Sequence, residues 1–437
     1  MSTLKVNKLR DTSGSTDAIV LDPSGGAVLA GVTTISTARI TTGITTSIQV
    51  GGGVTISESG IEASGIGITC ASINGTQIGG RRNIIINGDF RIAQRSTSAS
   101  TTVGYATVDR FRTYTNGVDE APTQAQVDVS SGTSPYTEGF RKAFKITNGN
   151  QTSGAGAADY IIVRHMVEAQ DMANSGWNYT SSSSNVTLSF WVKASVAQNY
   201  YFSVLSSDGT LQNFPMETGS LTADTWTKIT KTIPGASNIQ FNNDNGIGLE
   251  LDWWQFAGTD YTASGVALNT WAAFASGTRF PDHTSTWYTT NDATFEITGV
   301  QLEVGSQATP FEHRSFGEEL ALCQRYYYVV TDHRDGSGLE QMFNVHAYSN
   351  GQFETTIHYP VMRTNPSLVQ VTGTNYYRAK NSGATISFNN YNLYQASPRV
   401  CLLFQNSNMS GSFTGGQAYR AEYNGDNSAY IHLDAEL

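Results

Sequence analysis

The sequence predicts a mostly β chain, in which a slender N-terminal β shaft is followed by globular β-sandwich domains. The first 80 residues contain no Phe, Trp or Tyr, whereas the remaining 357 contain all 47. Gly, Ser and Thr make up 37 of those first 80 residues, a composition that cannot build a bulky core of its own. Only 14% of the residues are charged, well below the ~25% of an average soluble protein, which suits sandwiches and fibres.

Residues 31–80 form the predicted shaft, because isoleucines recur there at short intervals between glycines. Spacings of four or five residues with Gly and Thr do not fit a sustained amphipathic helix. They fit short β-runs that wind together in a homotrimer around shared isoleucines, and a flexible linker is the alternative interpretation. Residues 1–30, rich in turns, are predicted to be a separate docking segment. The isoleucines expected to face the threefold axis are Ile35, Ile40, Ile44, Ile48, Ile56, Ile61, Ile66, Ile73 and Ile78.

The composition changes sharply at Arg81, and residues 81–314 are predicted to form one jelly-roll sandwich. Most strand patterns in this region alternate apolar and polar residues, so each strand has one buried and one wet face. Many strands separated by Gly, Asn and Ser loops are typical of this architecture. The predicted strands include residues 83–90, 186–193, 200–205, 225–233, 247–253 and 293–302.

A connecting helix over residues 315–328 is well marked. Ser315 and Glu318 form a capping box, and Phe316, Leu320 and Cys323 follow at helical spacing. Residues 329–437 return to a β-pattern and are predicted to form a C-terminal β-sandwich tip. Strands are expected from Tyr326 onwards and at residues 352–358, 367–371, 400–404, 419–423 and 430–434.

Charge and cysteine content exclude several kinds of protein. The net charge of −10 and the absence of basic clusters argue against a nucleic-acid partner. Cys70, Cys323 and Cys401 are far apart and lack metal-binding spacing, so they are interpreted as small buried residues. No secretory signal or membrane-spanning stretch is expected, which places synthesis in a cytoplasm. No histidine pair with zinc spacing occurs, and no cofactor is predicted.

Several motifs resemble known proteins. NIIINGDF at residues 83–90, TLSFWVKA at 187–194 and FEITGVQLE at 295–303 resemble the opening, central and closing strands of carbohydrate-binding modules with a galactose-binding-like jelly roll. The resemblance implies that residues 83–90 and 294–303 are neighbouring strands of one jelly roll. DRF at residues 109–111 and ITGVQLEVGSQATPFE at 297–312 are more specific. Together with LCQRYY at 322–327, PVMRTNPSL at 360–368 and LDAEL at 433–437, they closely resemble tail fibres and related host-recognition proteins of tailed bacteriophages, especially marine phages that infect cyanobacteria.

The resemblance implies a homotrimeric virion protein that binds a host surface polysaccharide or lipopolysaccharide during adsorption. Its N-terminus would attach to other tail proteins, such as a tail tube, adaptor or nozzle. The related modules often hold a structural calcium, and Asp89 and Glu303 are the candidates here. Thr298 and Gly299 stand where those modules often carry aspartates, and this departure argues against the ion.

Sugar recognition needs flat aromatic faces beside amides and hydroxyls, and two regions offer them. In the tip, tyrosines alternate with asparagines most densely over residues 389–394. In the jelly roll, the pair Trp253 and Trp254 would supply the aromatic faces. Adjacent aromatics on a strand point to opposite faces, so at least one of each pair can be core. The candidate glycan contacts are Tyr376, Tyr377, Asn389, Asn390, Tyr391, Asn392, Tyr394, Trp253 and Trp254.

Receptor binding without catalysis is therefore the predicted function. One alternative is a structural connector or collar fibre with protein partners only. The other is a polysaccharide depolymerase, which needs two carboxylates placed across a glycosidic bond. Glu250 with Asp252 and Asp332 with Asp335 are carboxylate pairs, but sequence spacing does not place either pair across a sugar.

Overall fold

The computed structural model describes residues 82–334, 341–425 and 428–437, together with the backbone of eight short strands between residues 8 and 77. The chain divides into two compact units, Met1–Cys70 and Ala71–Leu437. Within the described residues, no helix is long and apolar enough to span a bilayer.

The first unit holds two antiparallel three-stranded sheets, ordered β1-β2-β3 and β4-β5-β6. Ile48 pairs with Ile56, and Ile56 pairs with Ile61, at directly opposite backbone positions. Ile73 lies in the β7-β8 hairpin of the second unit, while Ile35, Ile40, Ile44, Ile66 and Ile78 lie outside the described residues. The shaft and its trimer stay predictions. The strands are β1 Lys8–Arg10, β2 Asp17–Leu21, β3 Ala27–Leu29, β4 Ser47–Val50, β5 Val54–Ser57, β6 Gly60–Ala63, β7 Ser72–Ile73 and β8 Thr76–Gln77.

Within the described residues 82–334, the jelly roll consists of eleven strands and two short α-helices. All five strands predicted here between residues 186 and 302 are confirmed, with small shifts at their ends. The elements are β9 Phe111–Asn116, β10 Thr123–Asp128, α1 Ser134–Thr137, β11 Lys142–Thr147, β12 Tyr160–Glu168, α2 Ala169–Ala173, β13 Asn185–Ala194, β14 Asn199–Ser206, β15 Gln212–Ser220, β16 Thr227–Pro234, β17 Ile247–Ala257, β18 Ala272–Ala273 and β19 Thr294–Val304.

Two antiparallel sheets face each other across the core of this domain. One has five strands in the order β10-β11-β19-β13-β16, and the other has six in the order β18-β15-β14-β17-β12-β9. Aromatic side chains fill the space between the sheets. Phe190 on β13 meets Phe202 on β14 and Trp253 on β17 edge-to-face, with ring centroids 5.1 and 5.6 Å apart. These buried rings contribute the largest apolar area to the core.

Residues 83–90 lie beside β19, as predicted, but they are not a strand. The Ile84 amide donates to the Leu302 carbonyl and the Val300 amide to the Gly88 carbonyl, both over 2.9 Å. Between these bonds the segment turns, and Asn87 and Phe90 both have a positive φ. The Asn87 side chain stabilises this turn by donating to the carbonyls of Ile92 and Asp109.

The predicted helix is confirmed as α3, Phe316–Gln324. Ser315 accepts from the Glu318 amide, and Glu318 accepts from the Ser315 amide, so the capping box is complete. The predicted apolar stripe is only partly inward, because Cys323 is buried whereas Phe316 is 59% exposed. Glu319 is buried instead of Phe316, and its carboxylate accepts from the Asn87 amide and from Arg314.

The C-terminal domain has a three-stranded sheet, β20-β29-β23, and a seven-stranded sheet, β25-β24-β28-β21-β22-β27-β26. Ile431 and Leu433 of the smaller sheet share one core with Tyr377 and Phe353 of the larger, so this domain too is a sandwich. The strands are β20 Tyr327–Asp332, β21 Gln341–Ser349, β22 Gln352–His358, β23 Ser367–Gln370, β24 Tyr377–Lys380, β25 Thr385–Phe388, β26 Asn392–Tyr394, β27 Val400–Gln405, β28 Ala418–Tyr423 and β29 Tyr430–Asp434.

Candidate functional site

Most of the tyrosines predicted as tip contacts belong to the core. Tyr377 is fully buried and Tyr391 is 1% exposed. Tyr391 packs edge-to-face against Phe388 and Tyr377, with centroids 5.1 and 5.2 Å away. Tyr376 is half-buried, and Tyr394 is 54% exposed. Of these four rings, Tyr394 therefore offers the most surface to a ligand.

The asparagines of the same stretch hold local structure. Asn389 accepts from the Asn375 amide over 2.9 Å. The buried Gln405 side chain donates to the Asn390 carbonyl and accepts from the Asn392 amide group over 3.1 Å. The alternation of amides and rings over residues 389–394 thus has a structural explanation, and its role in binding stays a prediction.

The two tryptophans predicted for the jelly roll lie on opposite faces of β17. Trp253 belongs to the inter-sheet core and is 1% exposed. Trp254 points away from that core, but the segment after β17 covers it. Its ring meets Tyr261 and Phe280, both 5.5 Å away, and is 3% exposed. Neither indole is open to a sugar in this conformation.

The residues proposed for calcium do not fit such a site. Glu303 already accepts from the Thr309 amide, the Thr309 hydroxyl and Gln301, which takes three of about four acceptor positions. Asp89 is paired with Arg91. Among the residues that the structure describes, no group of three His, Cys, Asp or Glu side chains could hold a metal ion.

The carboxylate pair Glu250 and Asp252 is occupied by a cation. Arg164 donates to both oxygens of Asp252 over 2.6 and 2.7 Å and also pairs with Glu250. Burial raises the pKa of Glu250, and the charge of Arg164 opposes that effect. An arginine between the carboxylates leaves no room for a glycosidic bond there. Asp332 of the second pair is bound to Arg334, and Asp335 lies outside the described residues.

An open groove of about 570 Å³ lies on the outer side of the five-stranded sheet. Three separate stretches of chain form it: the turn after α1, the edge strand β16, and the segment that follows β19. Its volume falls in the ~300–1,000 Å³ range of small-ligand sites. The lining residues are Glu138, Lys228, Thr230, Ala308, Thr309, Pro310, Phe311 and His313.

An aromatic cluster underlies this groove. Phe311 packs edge-to-face on Phe140 with centroids 4.9 Å apart, and His313 lies 4.9 Å from Phe311. Trp191 of β13 belongs to the same cluster and is 8% exposed. Because Phe311 is only half-buried, part of its ring is available to an apolar surface.

Glu138 holds the polar groups at the rim in place through its carboxylate and its backbone carbonyl. Glu138 accepts from the Trp191 indole over 3.1 Å and from Lys228 over 3.0 Å. The His313 ring nitrogen Nε2 bonds the Glu138 carbonyl over 2.9 Å. The groove thus presents an ammonium donor, a carboxylate acceptor and hydroxyls beside an aromatic face. This combination can hold a molecule with many hydroxyls and an apolar ring face.

Sequence reasoning missed this groove. Trp191 and Phe311 stand out in the sequence only as members of the motifs at residues 187–194 and 297–312. A pattern of aromatic, basic and acidic residues from positions 138, 191, 228 and 311 cannot be recognised before the strands are paired. A weak signal exists in Lys228, which lies directly opposite Trp191 once β13 and β16 are aligned.

No protein family matches the sequence, and no curated protein matches it. Among solved structures, the chain is similar to the enzymatically active domain of bacteriophage CBA120 tailspike protein 4, at 8% identity and a TM-score of 0.26. That match covers 51% of this chain and 21% of the tailspike chain, so this chain spans about a fifth of its length.

Two further similarities are to carbohydrate-binding proteins. The tandem CBM22-1-CBM22-2 domain of Paenibacillus barcinonensis Xyn10C matches at 9% identity over 84% of this chain and 100% of its own, with a TM-score of 0.25. The N-terminal cellulose-binding domain of Cellulomonas fimi β-1,4-glucanase C matches at 11% identity over 49% and 97%, with a TM-score of 0.24. At such TM-scores, none of these similarities decides the function.

Proposed function

We propose that this chain binds a cell-surface glycan through the groove formed by Glu138, Lys228 and Phe311. The observation that carries the proposal is the half-exposed Phe311 ring beside a lysine and a carboxylate in one open groove. An aromatic face covers the apolar C–H face of a sugar, while Lys228 donates to its hydroxyls and Glu138 accepts from them. The Lys228–Glu138 pair is about two-fifths exposed, so the pair itself adds little stability and both groups stay accessible to a ligand.

We further propose that the glycan-binding unit is the distal part of a phage tail fibre. The support is the motif resemblance together with the aromatic-free N-terminal segment. Residues 1–30 would dock on another tail protein, and residues 31–80 would join three chains. Several weak groove contacts on one trimer would then gain strength through effective concentration. The protein would act in the virion, without catalysis.

The groove is tested with Phe311→Ala and Lys228→Ala. The probe is an array of purified bacterial lipopolysaccharides and capsular polysaccharides, followed by affinity electrophoresis with whichever polysaccharide binds. Each variant should lose roughly tenfold in affinity, since a well-placed contact contributes about 1.5 kcal/mol. Lys231→Ala is the matched control, because Lys231 lies on the opposite face of the same strand.

Two results would count against the groove. One is unchanged affinity in both groove variants, and the other is the absence of any bound polysaccharide on the array. Equal weakening by Lys231→Ala would show that charge alone, and not the groove, is recognised.

The fibre proposal has its own test. Sedimentation of the full chain at micromolar concentration should give a trimer, and Ile56→Asp with Ile61→Asp should disrupt it. Residues 81–437 alone should still fold but should not enter virions. A monomeric full chain, or normal incorporation of residues 81–437, would contradict the proposal and favour a protein-binding connector.

A further inference from the structure

Within the part of the chain that the structure describes, one arginine on the other sheet of the jelly roll has no anionic partner. Arg112 lies on β9, and the preceding Phe111 is in the core, so the Arg112 side chain is on the outer face of the six-stranded sheet. Its guanidinium lies over two tyrosine rings, 4.0 Å from the centroid of Tyr114 and 5.0 Å from that of Tyr105. The residue is half-buried.

Neighbouring arginines differ from Arg112 in having carboxylates. Arg164, its partner across the β9–β12 ladder, is bound to Asp252 and Glu250. Arg95, which lies over the same Tyr105 ring, is paired with Asp434 and Glu436. Among the residues that the structure describes, no carboxylate lies within ion-pair distance of Arg112. The acidic groups around it are already engaged by these other arginines.

Two buried polar atoms in this place also lack a hydrogen-bond partner among the described residues. They are the Nε of Arg112 and the hydroxyl of Tyr105. A buried polar group without a partner costs free energy, commonly about 1–3 kcal/mol. The Nε–H of Arg112 and the Tyr105 hydroxyl are therefore donors that an acceptor from outside the chain would satisfy.

The stacking of Arg112 limits the kind of acceptor that fits. Because its N–H groups lie in the guanidinium plane, they donate from the edge while the face stacks on a ring. A guanidinium edge matches a planar or tetrahedral oxyanion with two oxygens, and such charge-assisted pairs are the stronger hydrogen bonds. The Tyr105 hydroxyl adds one further donor. A neutral sugar hydroxyl offers a single oxygen without charge and satisfies this arrangement poorly.

We propose that Arg112, with Tyr105 and Tyr114, binds the carboxylate or sulfate group of an acidic saccharide. This site is separate from the Phe311 groove, which lies on the outer side of the five-stranded sheet. The proposal rests on the proposed function in one respect only, namely that the anionic group belongs to a saccharide. The chain has a net charge of −10, so selection of an anion depends on this local arginine and not on the overall field.

Isothermal titration calorimetry on the full chain tests the site. The probes are trigalacturonic acid, a sulfated galactose oligosaccharide, the neutral galactose oligosaccharide, and sodium acetate and sodium sulfate as free anions. Wild-type protein should bind one of the two acidic saccharides, and Arg112→Gln should weaken that binding roughly tenfold or more. Arg399→Gln, which removes an exposed arginine of the C-terminal domain, is the matched control and should bind as wild type does.

The free anions distinguish binding of an acidic saccharide from binding of any small anion. Saturation by acetate or sulfate as tightly as by the acidic saccharide would overturn the saccharide assignment. Equal affinity of wild type and Arg112→Gln, or no binding of either acidic saccharide up to about 10 mM, would overturn the site. If Arg112→Gln does not fold, Tyr105→Phe removes one donor with little change in shape; it should weaken binding severalfold, and unchanged affinity would overturn the site.

Failure of this site and failure of the groove can be told apart. Phe311→Ala should leave binding of the acidic saccharide unchanged. If Phe311→Ala weakens binding of the acidic saccharide and Arg112→Gln does not, the groove proposal is supported and the arginine site is overturned. If the polysaccharide array shows no groove-dependent binding while Arg112→Gln abolishes binding of the acidic probe, the arginine site is supported and the groove proposal is overturned.

Discussion

Glu436 forms an ion pair with Arg110, a residue 326 positions earlier in the chain. Arg110 is 1% exposed and Glu436 is 5% exposed, and Glu436 also pairs with Arg95. The Arg110 guanidinium lies 3.4 Å from the centroid of the Tyr326 ring, just after α3. Because Arg110 belongs to the jelly roll and Glu436 follows the last strand of the C-terminal domain, one carboxylate neutralises two buried arginines across the junction of these domains.

Replacing Glu436 with Gln should weaken this junction strongly. It leaves Arg110 and Arg95 buried with less compensation, and breaking a buried pair by removing one partner costs about 3–5 kcal/mol. Urea unfolding followed by tryptophan fluorescence should show a lower midpoint. All seven tryptophans lie before residue 288, so their fluorescence reports on the jelly roll alone. Far-ultraviolet circular dichroism, which reports on both domains, should show a second transition that the fluorescence does not follow.

Glu354→Gln is a suitable control, since Glu354 is on the outer side of β22 and half-buried. An unchanged midpoint in Glu436→Gln would mean that the ion pair contributes nothing to the junction.

Asp109 should make the protein less stable as the pH rises from about 4 to 6. Burial raises the pKa of Asp109 to about 6 from an ordinary value of 3.8, although Arg95 and Gln94 act in the opposite direction. Between these two values the folded chain holds a proton that the unfolded chain has lost, so the free energy of unfolding falls with rising pH. A shift of this size corresponds to on the order of 3 kcal/mol.

In Asp109→Asn this part of the pH dependence should disappear. Urea midpoints measured for both proteins at several pH values between 4 and 7 give the comparison, and the difference between the two curves isolates Asp109 from other titrating groups. Parallel curves for the two proteins would contradict the assignment.

Local patterns predicted the elements well. Alternating residues found β13, β14, β16, β17 and β19, and the Ser315–Glu318 capping box found α3. These signals lie within a few residues of each other, and the backbone that they specify depends little on the rest of the chain. The adjacency of residues 83–90 and β19 came from motif resemblance instead. There the strand assignment was wrong, because the Asn83 side chain takes the Val300 carbonyl and the Leu302 amide of β19, which a ladder would use.

Binding residues were harder to predict, because exposure depends on distant parts of the chain. Trp254 is on the outer face of its sheet, as alternation allows, yet Phe280 and Tyr261 cover it. The Phe311 groove unites residues from three separate stretches. Arg112 stands out only because its neighbours are paired and it is not, which no reading of local sequence reveals.

Gly88→Ala should destabilise the jelly roll by several kcal/mol. A Cβ at this position would overlap the carbonyl oxygen of Val300, and the Val300 amide bonds the Gly88 carbonyl. The segment would have to move away from β19, losing that bond and the packing around it. Thermal unfolding measured by circular dichroism checks the result.

Gly317→Ala is the matched control for this change. No atom lies within 4 Å of a Cβ there, and within α3 alanine should stabilise the helix by about 0.5–1 kcal/mol. A Tm that is unchanged or higher in Gly88→Ala would show that residues 83–90 are not held against β19 as described.

Tyr391 and Tyr394 should respond in opposite ways to alanine. Tyr391 fills the core beside Tyr377 and Phe388, so its truncation should cost about 3–5 kcal/mol, by analogy with Phe→Ala. Tyr394 is 54% exposed, and its loss should change the free energy of unfolding by no more than about 0.5 kcal/mol. Chemical denaturation of both variants measures the difference. Adsorption to host cells then has a clear meaning only for Tyr394→Ala: reduced adsorption by this stable variant would place receptor contact on β26. Unchanged adsorption, together with reduced adsorption by Phe311→Ala, would place it on the jelly roll.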